Sequence, residues 1–174
     1  LLIGSVLFAL NLHLVGLGSA RPLVLIPQAV VAGQWWRMFT HPFVHVSFYH
    51  LVLDAGAFLL LYRAIDHRSA SARAACSLTC AAFGAAAAWL SAAPIDTLGL
   101  CGLSATAHGL MALTALQQIE KGDTVRLGAA SFLLLASKSV AEAVTGEVMF
   151  DFLHMGLCGS PLAACHLGGV CGGV

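Results

Sequence analysis

Six apolar stretches, each near the length of a membrane-crossing helix, constrain the fold of this chain more than any other feature. A transmembrane helix needs roughly 20 apolar residues, and backbone groups in lipid must be satisfied within the helix. The pattern predicts an all-α membrane protein, a six-transmembrane-helix bundle forming one domain over residues 1–174. The predicted spans cover about residues 1–18, 46–62, 74–93, 98–116, 127–145 and 160–174, and the sixth helix is truncated at the C-terminus of the chain.

The composition agrees with a membrane protein. Hydrophobic residues make up 59% of the chain and charged residues 9%, against about 25% charged residues in soluble domains. Eight Lys and Arg residues balance eight Asp and Glu residues, so the net charge predicts no nucleic-acid partner. The six cysteines form no Cys-x-x-Cys pair, which favours packing roles for them over a metal site.

The basic residues predict how the spans are oriented. Lys and Arg accumulate in cytoplasmic loops, and here they follow the second and fourth spans, as Arg63, Arg68, Arg73, Lys121 and Arg126. We therefore expect a cytoplasmic N-terminus. The first stretch has a second interpretation as a signal peptide, because Gly18-Ser19-Ala20 resembles a cleavage site. Both interpretations leave residue 21 outside.

Polar residues from four spans are predicted to lie at one depth. Counting about 1.5 Å per helical residue puts Ser104, His166, His50 and Asp54 on the order of 6–12 Å below the outer surface, with Lys138 at about the same level. An intramembrane histidine or charge is costly and is a functional-site hypothesis by default. The shared depth predicts a water-filled cavity that opens to the outer face.

Ser104 and His166 are the candidates for chemistry in that cavity. A serine beside an imidazole is the minimal nucleophile with its general base. Gly99 and Gly102 allow a sharp turn before Ser104, which places its hydroxyl at a helix N-terminus, where free N–H groups can bind an oxyanion. Taken alone, Ser104 also fits a simple helix cap, and His166 alone also fits a packed polar side chain.

Small residues allow the fourth and sixth spans to pack closely together. Gly169 and Gly173 follow His166 and share one helix face. A similar stripe follows Ser104 on the fourth span and consists of Ala105, Gly109 and Ala112. Because small residues four apart let membrane helices approach closely, we expect these two spans to be in contact.

Three further polar residues lie near the predicted site. His108 is four residues after Ser104, on the same helix face, and we interpret it as a supporting hydrogen-bond partner. Lys138 and Glu142 are also four apart and can neutralise each other within the fifth span. We interpret that pair as structural.

The segments assembled so far resemble the rhomboid family of intramembrane serine proteases along nearly the whole chain. Residues 33–40 resemble its first-loop motif, and residues 45–54 resemble its motif of two histidines followed by Asn. Gly102-Leu103-Ser104 resembles the Gly-x-Ser nucleophile motif, and the sequence from Cys165 to Gly173 resembles the histidine motif. The resemblance implies a Ser104–His166 dyad, an oxyanion hole from the Leu103–Ser104 backbone and His50, membrane-anchored protein substrates, and no metal or cofactor.

Asp54 departs from the family pattern, which commonly has Asn there. An ionised carboxylate would repel an oxyanion, so Asp54 is interpreted as a neutral donor, as a group that orients His50, or as a partner of Lys138. With Lys138-x-x-x-Glu142, this departure resembles the rhombosortases, a bacterial rhomboid subfamily. That resemblance implies cleavage of C-terminal Gly-Gly-type sorting tags near the periplasmic end of a transmembrane segment, in the bacterial inner membrane.

Two other functions fit parts of the sequence. Asp54 would suit a catalytically inactive rhomboid-like protein that binds membrane clients. A haem- or metal-binding membrane protein would use His45, His50, His108 and His166, although the number of histidines is its only support.

Overall fold

The computed structural model describes residues 2–66, 69–91, 95–160 and 162–174, and its regular elements within these ranges are helices. Arg68, one of the residues behind the predicted orientation, lies outside the described ranges. Short 3-10 turns occur at Leu12–Val15, His41–Phe43 and Asp151–His154. The α-helices are α1 Leu2–Leu10, α2 Pro27–Val31, α3 Arg37–Thr40, α4 Phe48–Ala64, α5 Ala70–Leu90, α6 Ile95–Leu98, α7 Ser104–Glu120, α8 Val125–Thr145 and α9 Ala164–Gly173.

Five of the six predicted spans correspond to one helix each, namely α4, α5, α7, α8 and α9. By length and hydropathy, two helices of the described ranges can cross a membrane, α5 and α8. The count becomes three if α4 is joined to the segment Arg37–Phe43, which meets it at 97°. The all-helical membrane architecture is thus confirmed, whereas the number of six spans stays a prediction.

The first predicted span is not one continuous helix. Helix α1 ends at Leu10, and the Asn11 side-chain amide donates hydrogen bonds to the Leu7 and Phe43 carbonyls, each at 2.7 Å. Gly16 then adopts a left-handed conformation, with φ at 81°. Because the bond to Phe43 ties Asn11 to a distant segment, the chain turns here although the sequence remains apolar.

Helix α7 is the centre of the bundle, since it packs against α4, α5, α8 and α9. The predicted contact between the fourth and sixth spans is present, because α7 and α9 touch backbone to backbone. A Cβ atom at Gly169 would collide with the Ala105 carbonyl oxygen, and one at Gly173 would collide with the Gly109 carbonyl oxygen. Dispersion between closely packed backbones stabilises such contacts in lipid.

The long first loop is held by a buried arginine. Arg37 is only 6% exposed, and its guanidinium donates to the Arg21 and Val24 carbonyls at 2.6 and 2.7 Å. Its neighbours Trp35 and Phe39 remain exposed, as expected for side chains at a membrane interface. Thus the charge in this aromatic segment anchors the loop and does not face the cavity.

Candidate active site

Ser104 is the first residue of α7, and the sequence before it dictates this position. Gly102 adopts φ of 101°, in the left-handed region that favours glycine, and its N–H donates to the His41 carbonyl at 3.0 Å. The Leu103 carbonyl accepts the first hydrogen bond of the helix, from the Ala107 N–H at 2.8 Å. The N–H groups of the first turn therefore precede the helical ladder and are suited to an anionic ligand.

A cavity of about 690 Å³ opens at the start of α7. The segment after α8, from Val148 to Ser160, lines one side of it together with Leu162. Two side chains of α4 tie this segment down, since Tyr49 Oη donates to the Leu153 carbonyl at 2.7 Å and Ser47 Oγ donates to the Leu157 carbonyl at 2.6 Å. The polar side chains in its wall include Ser104, His50, Asp54, His108, Lys138 and His166.

His166 reaches this cavity from the first turn of α9 and is 5% exposed. Its Nδ1 lies 2.7 Å from Oε2 of Glu142. A carboxylate only accepts hydrogen bonds, so Nδ1 carries a proton, and in the neutral imidazole Nε2 is then the nitrogen with the free lone pair. Ser104 and Cys165, the residue before His166, line the same cavity. The structure thus brings the serine and the histidine together in one wall.

His108 lies against His166 without serving Ser104 as a base. The two imidazole rings are stacked, with centroids 4.1 Å apart and planes within 5°. Nδ1 of His108 bonds to the Ser104 carbonyl at 2.8 Å, so it is the donor. Nε2 of His108 accepts from Lys138 Nζ at 3.1 Å. Both ring nitrogens are therefore engaged, and His108 supports the site by packing.

A second carboxylate and imidazole pair, Asp54 and His50, lies on α4 and lines the same cavity. His50 Nε2 is 3.1 Å from Oδ2 of Asp54, and His50 Nδ1 accepts from the Val46 N–H at 3.4 Å. His45 Nε2 lies 3.7 Å from the same carboxylate oxygen. Of the three roles predicted for Asp54, orienting His50 is the nearest to this geometry, but the contact is one of proximity only, since Asp54 Oδ2 has no hydrogen-bond partner in the described part of the chain. Pairing with Lys138 was wrong, because Lys138 contacts His108 and Glu142 instead.

The four histidines of the haem hypothesis separate into two pairs, His45 with His50 and His108 with His166. Rings stacked at 4.1 Å leave no room for a porphyrin between them. Donor atoms of His108, Glu142 and His166 lie within 4.8 Å of one another. That cluster already holds the Lys138 ammonium, which would repel a metal cation.

The contact between Glu142 and His166 is the feature of this site that sequence reasoning missed. Spacing indicated only the pair with Lys138, and that pair exists, at 2.6 Å. The available signal was depth, because Glu142 lies near the outer end of the fifth span, close to the level predicted for His166. Which way α8 turns that carboxylate depends on its packing against α7 and α9.

A helical membrane protein with Ser104, several imidazoles and the carboxylate of Asp54 in one cavity wall fits the class of intramembrane serine proteases. The Rhomboid domain family matches residues 32–174, and the chain is a member of the rhomboid family. No curated protein and no solved structure matched the chain in the same comparisons.

Proposed function

We propose that this protein is an intramembrane serine endopeptidase in which Ser104 is the nucleophile and His166 the general base. The observation that carries the proposal is the placement of Ser104 at the start of α7, in the same cavity wall as His166, whose Nε2 keeps its lone pair. Family membership supports the same reaction.

The first half of the reaction forms an acyl-enzyme. His166 Nε2 takes the hydroxyl proton while Ser104 Oγ forms a bond to the scissile carbonyl carbon. The oxyanion that develops accepts hydrogen bonds from backbone N–H groups at the Leu103–Ser104 turn and from His50, which borders Gly102. The C–N bond then breaks, and the proton held by His166 passes to the leaving amine.

The second half restores the enzyme. Water in the cavity loses a proton to His166 Nε2, and its oxygen bonds to the acyl carbon. The bond to Ser104 Oγ breaks, and the proton returns to the serine. His166 thus acts as base and then as acid in each half of the reaction. No proton is left over, because His166 passes the first to the leaving amine and the second to Ser104.

The proposed substrates are membrane-anchored proteins cut near the outer end of their transmembrane segment. The cavity opens where the first turn of α7 meets the segment after α8. The Lys138–Glu142 motif and Asp54 favour the narrower proposal of a rhombosortase-like enzyme, which removes Gly-Gly-type C-terminal tags at the periplasmic face of a bacterial inner membrane. A catalytically inactive, client-binding homologue is the alternative, and Asp54 is the observation that favours it.

The test is labelling with a fluorophosphonate, which reacts only with an activated serine. We expect the wild-type protein in detergent to be labelled and Ser104→Ala and His166→Ala to be unlabelled. Ser160→Ala is the matched control, because Ser160 also borders the cavity and is exposed; it should label like wild type. The thermal unfolding midpoint of each variant checks folding.

Substrate class is tested in cells with a secreted reporter that ends in a Gly-Gly motif, a transmembrane helix and a basic cluster. Wild-type protein should release the reporter and Ser104→Ala should not. Replacing the Gly-Gly pair should stop release if the tag is recognised. Labelling without release would support a serine protease but contradict cleavage of Gly-Gly tags. A folded wild-type protein that never labels would establish the inactive alternative.

A further inference from the structure

We infer that Glu142 is the third member of the catalytic group, a positioning residue that holds His166 in the tautomer able to accept the Ser104 proton. The inference rests on the proposed function, in which two residues, Ser104 and His166, perform the chemistry. It adds a buried carboxylate that touches neither the serine nor a substrate and acts only through the imidazole.

Glu142 is built into the protein as an ionised group. Its side chain has no exposed surface, and its two oxygens receive three donors. Oε1 accepts from Lys138 Nζ at 2.6 Å and from the Met149 N–H at 2.9 Å, and Oε2 faces His166 Nδ1 at 2.7 Å. A buried charge is stable only when it is paired and hydrogen-bonded. Glu142 is buried and meets both conditions.

The remaining contacts restrict His166 to one orientation. Its ring is stacked face to face on His108, which Lys138 and the Ser104 carbonyl hold from both ends. With Nδ1 donating to Glu142, Nε2 is the only ring nitrogen left as a base. A carboxylate in this position also stabilises the imidazolium that forms when the proton is transferred, as in serine protease triads.

Lys138 completes this arrangement from the edge of the cavity. Its side chain is 24% exposed, and its ammonium donates to Glu142 and to His108 Nε2. It therefore neutralises the carboxylate on Oε1 while leaving Oε2 for His166. The pair that spacing predicted as structural is, on this inference, the support of the general base.

The decisive variant is Glu142→Gln, because the donors around the carboxylate dictate how the amide must lie. Lys138 and Met149 both donate to the Oε1 position, so the amide oxygen goes there and the NH₂ group faces His166. An NH₂ donor forces Nδ1 to accept and Nε2 to carry the proton. The base is then lost although the shape of the site is nearly unchanged.

We expect Glu142→Gln to slow fluorophosphonate labelling of Ser104 by about 10³- to 10⁴-fold, the loss seen when a triad carboxylate becomes an amide. Glu142→Asp keeps a carboxylate and should recover part of the rate. Glu147→Gln is the matched control, since Glu147 is exposed five residues further along the chain, and it should label like wild type. Unfolding midpoints show that the variants remain folded.

Nitrogen-15 NMR of the histidine rings gives a readout that needs no activity. His166 should carry its proton on Nδ1 in the wild type and in Glu142→Asp, and on Nε2 in Glu142→Gln. An Nδ1–H tautomer in Glu142→Gln, or labelling of that variant at the wild-type rate, would overturn the inference while leaving the Ser104 protease intact. Failure of the wild type itself to label would instead overturn the proposed function, and the tautomers would still report on Glu142.

Discussion

The Asp54 carboxylate lies beside the imidazole rings of His45 and His50. It also borders Gly102, in the turn that leads into Ser104. A Cβ atom at Gly102 would lie 2.7 Å from Asp54 Oδ2 and 2.9 Å from His50 Nε2. No side chain fits between this turn and the His50–Asp54 pair. Glycine is therefore required here twice, once for its positive φ and once for the space that a methyl group would take.

Gly102→Ala tests the oxyanion donors separately from the general base. We expect it to lower the labelling rate of Ser104 by about 10²- to 10³-fold, the order of the loss when one oxyanion donor is removed. His166 is held by Glu142 and His108 and should keep its Nδ1–H tautomer. Labelling rate and histidine NMR measure the two effects.

Gly122→Ala is the control for backbone strain. Gly122 also has a positive φ, of 80°, but a Cβ atom there meets nothing within 4 Å. It should cost about 1–2 kcal/mol of stability from the left-handed conformation and leave labelling unchanged. If both variants labelled equally, the contact with His50 would have no role.

At the scale of elements, the placement of His166 depends on how closely α9 approaches α7. Gly169 and Gly173 face the Ala105 and Gly109 carbonyls without a side chain between them. Gly84 brings α5 into the same contact, because its Cβ position lies 2.6 Å from the Ala105 methyl carbon. The distance between Ser104 and His166 is thus set by glycines one to two turns away.

Gly169→Ala should push α9 away from α7. Overpacking of this kind costs about 1–3 kcal/mol, so we expect a lower unfolding midpoint together with slower labelling of Ser104. Gly56→Ala on α4 is the matched control, because nothing lies within 4 Å of its Cβ position. It should be neutral or stabilising by about 0.5–1 kcal/mol. Equal effects of the two changes would argue against backbone contact between α7 and α9.

At the scale of the whole molecule, charge is separated along the bundle. Lys121 and Asp66 form an ion pair at 2.9 Å at one end of α7, whereas Ser104 and its cavity lie at the other end. The basic residue Lys121 thus lies far from the site, whereas Lys138 is the basic residue of the cavity wall. This separation agrees with a cytoplasmic loop after α7 and a site that opens to the opposite side.

That orientation is tested by adding one cysteine at a time to a variant with its six cysteines replaced by alanine. A membrane-impermeant maleimide applied to intact cells or spheroplasts should label Glu147→Cys, beyond α8, and should not label Asp123→Cys, between α7 and α8. Both positions are exposed. Permeabilised cells should label both, and the reverse pattern in intact cells would invert the proposed topology.

The parts of the fold that could be predicted from sequence are those in which local pattern and packing agree. The turn before Ser104 and the contact of α7 with α9 follow from glycines, whose conformational and steric effects act at their own positions. The end of α1 could not be predicted, because the bond from Asn11 to Phe43 joins residues 32 apart. Likewise, Glu142 has a local partner in Lys138 that conceals its contact with His166, 24 residues away.

The backbone of Met149 belongs to the segment that lines the cavity and also donates to Glu142. On the proposed function, the segment that would meet a substrate therefore also helps to hold the carboxylate behind His166. A change in that segment made to accept a different substrate sequence would also change the hydrogen bonds of Glu142, which holds His166. Substitutions in this segment should therefore keep the Met149 N–H in place, whereas the exposed Glu147 side chain can be changed.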